Sequence, residues 1–579
     1  MYSYTFSINY NRYNITEKTK CKLKGEIFLK VAICCLNSKY IHASLAPWCL
    51  FSSLKNEHQE IEATVIEATI NNEVETIADK IINSNCDIVS FSCYIWNIKK
   101  TLEVCKIIKK HTSSTIILGG PEVSYNAKSV LEKNNFIDFV LCGEGEETYP
   151  QLIASLVNNE SCYQVDGLCY RNNGDITANP EKEYSGTPIN PYCDEFFNSL
   201  NGRITYIEAS RGCPYRCAFC LSGRCSSLRY FDFEQTKDKI IALANSGTKT
   251  IKFVDRTFNA NSKRANEILD FILDNYKTDI PEGVCFHFEI AGDILTEETL
   301  SILEKAPRNL FQLEIGMQSF NEKTLSAINR KTNTSKLIEN IKRLISFGNM
   351  HIHIDLIAGL PHEDSESFEK SFDIGYSLGA NMLQMGFLKL LHGADMRELP
   401  DKYLCEFNEE PPYEVTKTPW LTEGELEALH NCEDALDRLY NSGRFLYTLD
   451  YLINKCEYTP FRLFYDFGNA VRVSNIGLSD YTEKIYEFFE SKVDKELLRE
   501  ALICDLLSCS SALQIPEFLK RTDSLYKQVK KHFTEGTTDK IKIAILYKSK
   551  RIFAVNQSKP KGFNGRYNGY FYDLNEFNS

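Results

Sequence analysis

No apolar run in the 579-residue sequence reaches the roughly 18 residues that a membrane helix needs, which argues against a membrane-spanning protein. Basic residues are also in deficit, since 66 Lys and Arg stand against 78 Asp and Glu and leave a net charge of -12. No global positive field would therefore attract nucleic acid or an anionic membrane.

The first 25 residues lack the compact basic start and the small-residue cleavage site of a signal peptide. We expect them to form a flexible extension. In the absence of an export signal, the 21 cysteines are expected to be free thiols in a reducing, oxygen-poor cytoplasm. Disulfides are the weaker interpretation.

Residues 26–160 alternate short apolar runs with amphipathic stretches. The apolar runs predict strands, and the amphipathic stretches predict helices. The predicted strands cover 28–36, 62–68, 87–94, 115–118 and 136–142, and the predicted helices cover 44–54, 74–82, 98–110 and 127–133. This alternation is typical of an α/β domain with a doubly wound, largely parallel, Rossmann-like sheet.

In such a sheet, ligands bind beyond the carboxyl ends of the strands. The residues that we expect there are Asn37, Tyr40, Ser92, Tyr94, Trp96, Gly119, Gly120, Pro121, Glu122, Gly143, Glu144, Gly145 and Glu146. The glycine turn at 119–121 permits close approach of the backbone to a ligand, but the G-x-G-x-x-G spacing of a dinucleotide site is missing. Taken alone, the turn also fits a plain strand-to-loop turn, and the aromatic pair Tyr94 and Trp96 also fits ordinary core.

The rest of the chain predicts a linker, a second α/β domain and a helical region. Residues 161–199 combine a hairpin around 172–175 with a proline-containing linker. Residues 200–420 contain six predicted strands, at 204–208, 250–254, 285–290, 311–315, 351–357 and 382–390, which favour a partial (β/α)6 barrel. Residues 421–579 predict a mostly helical domain, at 423–440 and 496–508, with a small β tail. The basic, aromatic segment 548–572 fits either a β unit, the favoured interpretation, or a surface on which bases stack.

Three cysteines, Cys213, Cys217 and Cys220, follow the first strand of the second domain with the spacing C-x3-C-x2-C. Three thiolates on one loop can bind three irons of a 4Fe-4S cluster, and because such clusters usually take four cysteines, one iron stays open to another ligand. The alternatives are zinc with a distant fourth ligand, three coincidental thiols, and Cys225 as the fourth ligand. We take the three cysteines as the candidate metal ligands and catalytic centre.

The cysteine spacing, with the aromatic Phe219 before the last cysteine, resembles the signature of the radical S-adenosylmethionine (radical SAM) superfamily. The resemblance implies that SAM chelates the open iron, that reduction cleaves its C-S bond, and that a 5′-deoxyadenosyl radical results. Motifs at 255–259, 314–319 and 355–361 extend the resemblance to the branch that includes oxygen-independent coproporphyrinogen oxidases. The implied SAM contacts are the Phe219 backbone at the adenine, Glu314 and Gln318 near the ribose or amino group, Asp355, and the adenine-bracing Ile357 and Gly359.

The loops that follow residues 118 and 142 resemble the cobalamin-binding domain that precedes many radical SAM cores. One subfamily of these proteins, which carries its own C-terminal helical domain of unknown function, is similar to nearly the whole chain. No D-x-H-x-x-G motif occurs between residues 26 and 160, and His42, His58 and His111 lack that setting. A histidine-ligated cobalt is therefore not expected, and the lower cobalt face would meet another side chain or nothing.

Two cofactor motifs in one chain predict an anaerobic radical SAM enzyme, most simply a cobalamin-dependent methyltransferase acting on an unactivated carbon. A radical cyclase, rearrangement enzyme or oxidoreductase is the second hypothesis, and a non-catalytic corrinoid sensor or chaperone is the third. The expected substrate is a small molecule, lipid, peptide or tetrapyrrole, the expected electron donor is a flavodoxin or ferredoxin, and nucleic acid is disfavoured by the charge. The acidic residues Asp255, Glu289 and Asp293 could position substrate or SAM, or be structural carboxylates.

Overall fold

The computed structural model describes residues 29–224, 227–509, 515–521, 525–562 and 565–577. The predicted extension at 1–25 and the alternative ligand Cys225 lie outside the described residues. Within them, two parallel α/β sheets follow one another along the chain and lead into a mostly helical region. No described helix is long and apolar enough to cross a membrane, and every described cysteine is a free thiol.

The first domain is built on a seven-stranded sheet. Its strands are β1 (Lys30–Asn37), β2 (Glu62–Thr69), β3 (Ile88–Ser92), β4 (Thr115–Gly119), β5 (Phe139–Leu141), β6 (Leu168–Asn172) and β7 (Asp175–Ala178). Its helices are α1 (Ala46–Glu57), α2 (Val74–Ile82), α3 (Ile98–His111), α4 (Pro121–Ser124), α5 (Ala127–Lys133) and α6 (Gly145–Val157). The strand order is β2-β1-β3-β4-β5-β6-β7, parallel from β2 to β5 and antiparallel from β5 to β7.

Strand β1 is apolar at successive positions because both of its faces are covered. Val31 and Ile33 join one apolar cluster, whereas Ala32 and Cys34 join another on the opposite face. The predicted doubly wound sheet is confirmed. The hairpin predicted around 172–175 is also present, but β6 pairs with β5, so the hairpin extends the first sheet.

The second domain is an open barrel of six parallel strands in the order β15-β14-β13-β12-β11-β8. The six barrel strands are β8 (Thr205–Ile207), β11 (Thr250–Phe253), β12 (Cys285–Ile290), β13 (Phe311–Gln318), β14 (His351–Ala358) and β15 (Met382–Phe387). Two short strands, β9 (Ser210–Arg211) and β10 (Arg229–Tyr230), form a separate antiparallel pair. Its helices are α7 (Asp194–Leu200), α8 (Phe233–Ala244), α9 (Ser262–Asp274), α10 (Glu297–Glu304), α11 (Glu322–Ala327), α12 (Thr334–Phe347) and α13 (Ser365–Ser377). All six predicted barrel strands are found, and the fold class is confirmed.

The third region is mainly helical. Its helices are α14 (Asp395–Glu398), α15 (Pro400–Tyr403), α16 (Glu423–Leu436), α17 (Leu446–Asn454), α18 (Pro460–Ala470), α19 (Leu478–Phe489), α20 (Lys495–Cys509) and α21 (Tyr526–Thr534), and its strands are β16 (Glu406–Phe407), β17 (Val415–Lys417), β18 (Ile541–Leu546), β19 (Arg551–Asn556) and β20 (Gly569–Asp573). Strands β18 to β20 form an antiparallel sheet, so the described part of the basic, aromatic segment is the favoured β unit. Buried Asp505 ties this sheet to α17, because it accepts hydrogen bonds from the backbone N–H of Thr448 (2.9 Å) and from Arg566 (2.7 Å).

Candidate functional site

A cavity of about 600 Å3 lies between the carboxyl ends of the first domain's parallel strands and the barrel. Most of the predicted ligand-binding residues line it: Asn37, Ser92, Tyr94, Trp96, Gly119, Gly120, Pro121, Gly143, Glu144, Gly145 and Glu146. Tyr40 does not, because its ring is exposed and lies against the guanidinium of Arg203. Glu122 is buried behind the glycine turn and is also absent from the wall. The barrel supplies Tyr206, Glu208, Arg211, Val254, Arg256 and Glu289, so both domains build the cavity.

Tyr94 and Trp96 form a flat platform in this cavity. Their rings stack with centroids 4.5 Å apart and planes 4° apart, and 48% of Trp96 is exposed. An exposed flat aromatic face suits the apolar face of a planar macrocycle. Polar atoms of Ser90, Ser92 and Asn37 border the same cavity, which matches a mostly apolar ligand site with a few orienting polar groups. These residues fit a corrin.

The glycine turn at the end of β4 is held against the neighbouring strand. Gly120 has a φ of 102°, and a Cβ there would lie 2.6 Å from the carbonyl oxygen of Cys93. The backbone N–H of Cys93 donates to Gly119 at 2.7 Å. The sequence predicts that this turn allows close approach to a ligand. In the structure its closest approach is to the end of β3, while the turn still borders the cavity.

Arg211 joins the two domains at the cavity wall. Its guanidinium bridges Glu144 and Glu146 of the first domain and Glu208 of the barrel, with the contacts to Glu146 and Glu208 at 2.7 Å. Burial alone would lower the pKa of Arg211, but the hydrogen bonds and charges of Glu208 and Glu146 outweigh burial and raise it. Arg229 gives Glu144 a second cation at 2.7 Å. The pairs hold the loop after β5 and the first turn of α6 to the start of the cysteine loop.

The three candidate cluster cysteines lie on the loop after β9, with Cys217 buried and the other two partly exposed. Buried Asp255 supports the base of this loop by accepting hydrogen bonds from Ala209 N–H (2.9 Å) and the Ser210 hydroxyl (2.5 Å). Burial raises the pKa of Asp255 to about 7. Of the two roles open to Asp255, the contacts support the structural one.

The cysteine sulfurs are not arranged for a single ion. Among the described residues, the group whose ligand atoms come close enough for one ion is Glu314, His353 and Asp355. A zinc ion requires thiolates that converge on one metal, whereas a 4Fe-4S cluster binds each thiolate through a different iron. Three thiolates on one loop suit the cluster, and their role as its ligands stays a prediction. Arg330 also reaches the loop, since Arg330 Nη1 lies 3.9 Å from the Sγ atom of Cys217.

A second, polar cavity of about 230 Å3 lies above the barrel strands. Three predicted SAM contacts line it, Glu314, Gln318 and Asp355, together with Glu289 and Asp293. The Gln318 Oε1 atom is buried without a hydrogen-bond partner among the described residues. Carboxylates around an unsatisfied amide oxygen suit a cationic ligand with N–H donors, and the ammonium group of SAM meets that description.

Three other predicted SAM contacts, Phe219, Ile357 and Gly359, do not line the second cavity. A Cβ on Gly359, whose φ is 88°, would lie 2.6 Å from Val415 Cγ1, so this turn faces the C-terminal region. Phe219 and Ile357 pack against the main apolar cluster. Their contacts with the adenine stay predictions.

A protonated histidine explains the charges at the floor of the second cavity. His353 Nε2 lies 2.6 Å from Asp355 Oδ1, and His353 Nδ1 lies 3.6 Å from Glu314 Oε2. Burial opposes the charge on His353, but hydrogen bonds with Asp355 and Glu314 outweigh it and raise its pKa to about 9. His287 adds a contact of 3.2 Å to the same Glu314 oxygen. Although burial would raise the pKa of Glu314, hydrogen bonds from His287 and His353 hold it well below its usual value.

The two cavities share a wall made by Arg256 and Glu289. The two side chains approach to 3.9 Å, and the Arg256 side chain is 56% exposed. Burial raises the pKa of Glu289 to about 7, so its charge responds to what lies beside it. A group placed at this wall is adjacent to both cavities at once.

A segment between the barrel and the helical region, residues 388–418 and here named the strap, packs behind both cofactor loops. The Tyr413 hydroxyl donates to the buried carboxylate of Glu122, and the guanidinium of Arg397 lies 4.6 Å from the Tyr413 ring. The backbone N–H of Met396 donates to Ala218 in the cysteine loop at 3.0 Å. The strap therefore connects the glycine turn to the cysteine loop.

Sequence reasoning missed the histidines His287 and His353, the arginines Arg211 and Arg330, and Tyr413. The histidines carried a usable signal, because polar residues alternate with buried apolar ones along β12 and β14, as expected where one face of a strand lines a polar interior. Tyr413 and Arg330 carried no such signal, because Glu122 and Cys217 lie far away in the sequence. The same holds for the contacts of Arg211 with Glu144 and Glu146.

Three family models match separate parts of the chain. Residues 32–153 match the B12 binding domain, residues 207–374 match the Radical SAM superfamily, and residues 401–558 match a protein family of unknown function, DUF4080. The first two matches coincide with the two domains that build the cavities. They confirm the predicted cofactors, a 4Fe-4S cluster, SAM and cobalamin.

Curated proteins are similar to part of the chain. The chain is 25% identical over 311 residues to the cobalamin-dependent radical SAM methyltransferase TokK of Streptomyces tokunonensis, covering 51% of this chain and 45% of TokK. It is 23% identical over 455 residues to 2-(S-pantetheinyl)-carbapenam-3-carboxylate methyltransferase of Streptantibioticus cattleyicolor, covering 71% of this chain and 62% of that enzyme. The chain thus spans less than two thirds of the length of either relative.

A solved structure has the same fold. The cobalamin-dependent S-adenosylmethionine radical enzyme OxsB, with aqua-cobalamin bound, matches with a TM-score of 0.55 and 16% sequence identity, covering 88% of this chain and 75% of OxsB. The chain therefore combines a region that matches the B12 binding domain with a following region that matches the Radical SAM superfamily.

Proposed function

We propose that this protein is an enzyme that methylates an unactivated carbon of its substrate. The observation that carries the proposal is the shared wall of the two cavities, at Arg256 and Glu289. A carbon held there is next to the site that fits SAM and next to the site that fits the corrin. When bound, SAM and the reduced cluster supply a hydrogen-abstracting radical, and cobalamin supplies the methyl group.

The residues of this chain bind and orient the reactants. Glu314, Asp355 and Gln318 place hydrogen-bond acceptors around the polar cavity, while Tyr94 and Trp96 provide the flat wall of the larger one. Arg256 and Glu289 contact whatever lies between the cavities and position the substrate. Orientation of this kind converts an encounter between separate molecules into a reaction within one complex.

The relatives support methylation, since TokK and the carbapenam enzyme are both named methyltransferases. The substrate is proposed to be a small molecule, lipid, peptide or tetrapyrrole, and a flavodoxin or ferredoxin is the proposed electron donor. A reducing, oxygen-poor cytoplasm is the proposed location, because it preserves both the cluster and the many free thiols.

The test uses SAM with a deuterated methyl group. Purified, reconstituted protein is reduced anaerobically with cobalamin and incubated with separate small-molecule, lipid, peptide and tetrapyrrole extracts of anaerobically grown cells. We expect one component to gain the intact deuterated methyl group, together with release of 5′-deoxyadenosine. The Cys217→Ala variant should yield neither product, and Cys456→Ala, which changes a thiol outside the site, should yield both.

The other two hypotheses give different products. A cyclase or rearrangement enzyme would release 5′-deoxyadenosine while a component changes mass without gaining label. A corrinoid sensor or chaperone would retain cobalamin but release no 5′-deoxyadenosine. Either result would contradict the proposed methyl transfer.

A further inference from the structure

Arg256 projects between the two cavities from a fixed strand end. It follows β11 and lies between two buried residues, Asp255 and Thr257. The Asp255 carboxylate is held by the hydrogen bonds from Ala209 and Ser210 described above, and the Thr257 hydroxyl donates to the Arg256 carbonyl at 2.7 Å. The backbone is thus held on both sides, while 56% of the Arg256 side chain is exposed. The guanidinium is presented at the shared wall from a rigid base.

The guanidinium of Arg256 has hydrogen-bond donors to spare. Its nearest charged partner among the described residues is Glu289, with 3.9 Å between Nη1 and Oε1, whereas a charge-assisted hydrogen bond spans about 2.7 to 2.9 Å. A guanidinium forms a planar fork of N–H donors that binds a carboxylate through two parallel bonds. At 3.9 Å, Glu289 leaves that fork open to a ligand.

The other cations in the two cavity walls are placed differently. Three carboxylates of the larger cavity pair with Arg211, as described above. In the polar cavity, Arg330 donates to the Gly316 carbonyl, and Lys331 lines that cavity alone. Among the described residues, Arg256 is the cation common to both walls. An anionic group at the junction of the cavities therefore meets Arg256.

The neighbouring acids favour an anion with a single charge. Burial outweighs the opposing charge of Arg256 and raises the pKa of Glu289 to about 7, so near neutral pH Glu289 can take up a proton beside an incoming anion at little cost. The carboxylates of Glu314 and Asp355 also act on Glu289 and would repel a second negative charge. A carboxylate suits this place better than a doubly charged phosphate.

We infer that Arg256 binds a carboxylate group of the substrate through the fork of its guanidinium, beside the carbon that receives the methyl group. The inference rests on the proposed function, because it takes the shared wall as the place of the reacting carbon. Since Arg256 stands at that wall, the carboxylate belongs to the reacting end of the substrate. The proposed substrates are thereby narrowed to small molecules, lipids, peptides or tetrapyrroles with a carboxylate near the methylated carbon.

The test compares one methyl acceptor as its acid and as its amide. The component that gains the deuterated methyl group is isolated from the extract, and its carboxyl groups are converted to N-methylamides with carbodiimide and methylamine. We expect wild type to use the amide with a kcat/KM about 10- to 100-fold lower, the range that follows from losing a hydrogen bond to a charged group. Treatment of the acceptor with phosphatase should change nothing.

Variants assign this preference to Arg256. Arg256→Met should lower kcat/KM for the acid by the same factor and should use acid and amide equally, whereas a steric effect of the amide would persist in this variant. Arg256→Lys keeps the charge without the fork and should fall between. Both should bind cobalamin like wild type by absorption, and Arg472→Met, which removes an exposed pair with Glu427, should keep the preference for the acid. The comparison in wild type needs no variant, so it stands even if Arg256→Met fails to fold.

Four results would overturn the inference and leave methylation standing: an acceptor without a carboxyl group, equal use of acid and amide by wild type, loss of the acceptor on phosphatase treatment, or a preference for the acid that persists in Arg256→Met. If no component gains the methyl group, the same comparison is made with the component that stimulates release of 5′-deoxyadenosine. A preference for its acid that requires Arg256 would then refute methylation and leave the carboxylate site standing. Neither methyl transfer nor stimulated release would overturn both.

Discussion

Replacing Arg211 with Met should weaken cobalamin binding by separating the two halves of its cavity. Arg211 pairs with carboxylates of both the first domain and the barrel, and its side chain is only 20% exposed. Its loss takes the paired cation away from Glu146 and Glu208, whose side chains are 15% and 17% exposed.

Removing one partner of a buried ion pair costs about 3 to 5 kcal/mol. The side chains of Arg211, Glu146 and Glu208 keep some exposure, and Glu144 retains its contact with Arg229. We therefore expect the free energy of unfolding to fall by the lower end of this range, about 3 kcal/mol. If half of this loss falls on the docked arrangement of the domains, cobalamin affinity drops by about tenfold, since 1.4 kcal/mol corresponds to a factor of ten.

The assay is cobalamin titration by absorption, together with denaturant unfolding followed by circular dichroism. Arg211→Lys keeps the charge but not the planar fork of N–H donors, so it should fall between wild type and Arg211→Met. The control is Arg343→Met, which removes an exposed pair with Glu297 and should change stability by less than about 1 kcal/mol. Unchanged cobalamin affinity in Arg211→Met would refute the idea that this cation docks the domains.

Three further predictions concern the other parts of the site. His353 is protonated in the folded state, with a pKa raised to about 9. An unfolded histidine has a pKa near 6.5. Because the folded value is higher, protonated His353 stabilises the fold fully below about pH 6.5, and this stabilisation disappears as the pH rises through 9. Denaturant unfolding from pH 6 to 10 should show this loss in wild type and not in His353→Gln, and parallel curves would contradict the assignment. Tyr413→Phe leaves the buried Glu122 carboxylate without the hydroxyl that donates to it, which should lower the free energy of unfolding by about 1 to 3 kcal/mol. The control is Tyr40→Phe, which changes an exposed tyrosine and should unfold like wild type. Gly120→Ala should destabilise the first domain by at least about 1 kcal/mol, because the residue has a positive φ and the added Cβ would lie 2.6 Å from the carbonyl oxygen of Cys93. The control is Gly247→Ala, where φ is 83° but the space around the added Cβ is open. This control should show only the cost of the positive φ.

The fold was predictable because its signals are local. Continuous apolar runs such as β1, and the spacing of apolar residues in α2 and α5, identify strands and helices without knowledge of the neighbours. The cysteine loop was equally predictable, since its three thiols lie within eight residues of sequence. The structure confirms both sheets and leaves the predicted domain boundaries as predictions.

The rest of the site depends on long-range contacts that no local pattern contains. Glu122 follows a predicted binding turn, but Tyr413 holds its side chain away from the cavity. Tyr40 lies in a predicted binding loop, but its ring points outward beneath Arg203. His42 follows β1 in a loop without a recognisable motif, and the hydroxyl of Tyr206 lies 2.7 Å from its Nδ1 atom. In each case the side chain's direction is decided by a residue from another domain or region.

The strap also has a consequence for how the protein is made. Glu122 and Tyr413 are 291 residues apart, and domains fold as units in the order of their synthesis. The first domain can therefore form its sheet and expose the Tyr94 and Trp96 platform long before the strap leaves the ribosome. Until the barrel strands are made, the larger cavity has only one of its two walls, so a bulky cofactor can reach it from an open side. The strap, which belongs to the C-terminal third of the chain, is the last part to reach this site, and it braces the loops from behind after both walls exist.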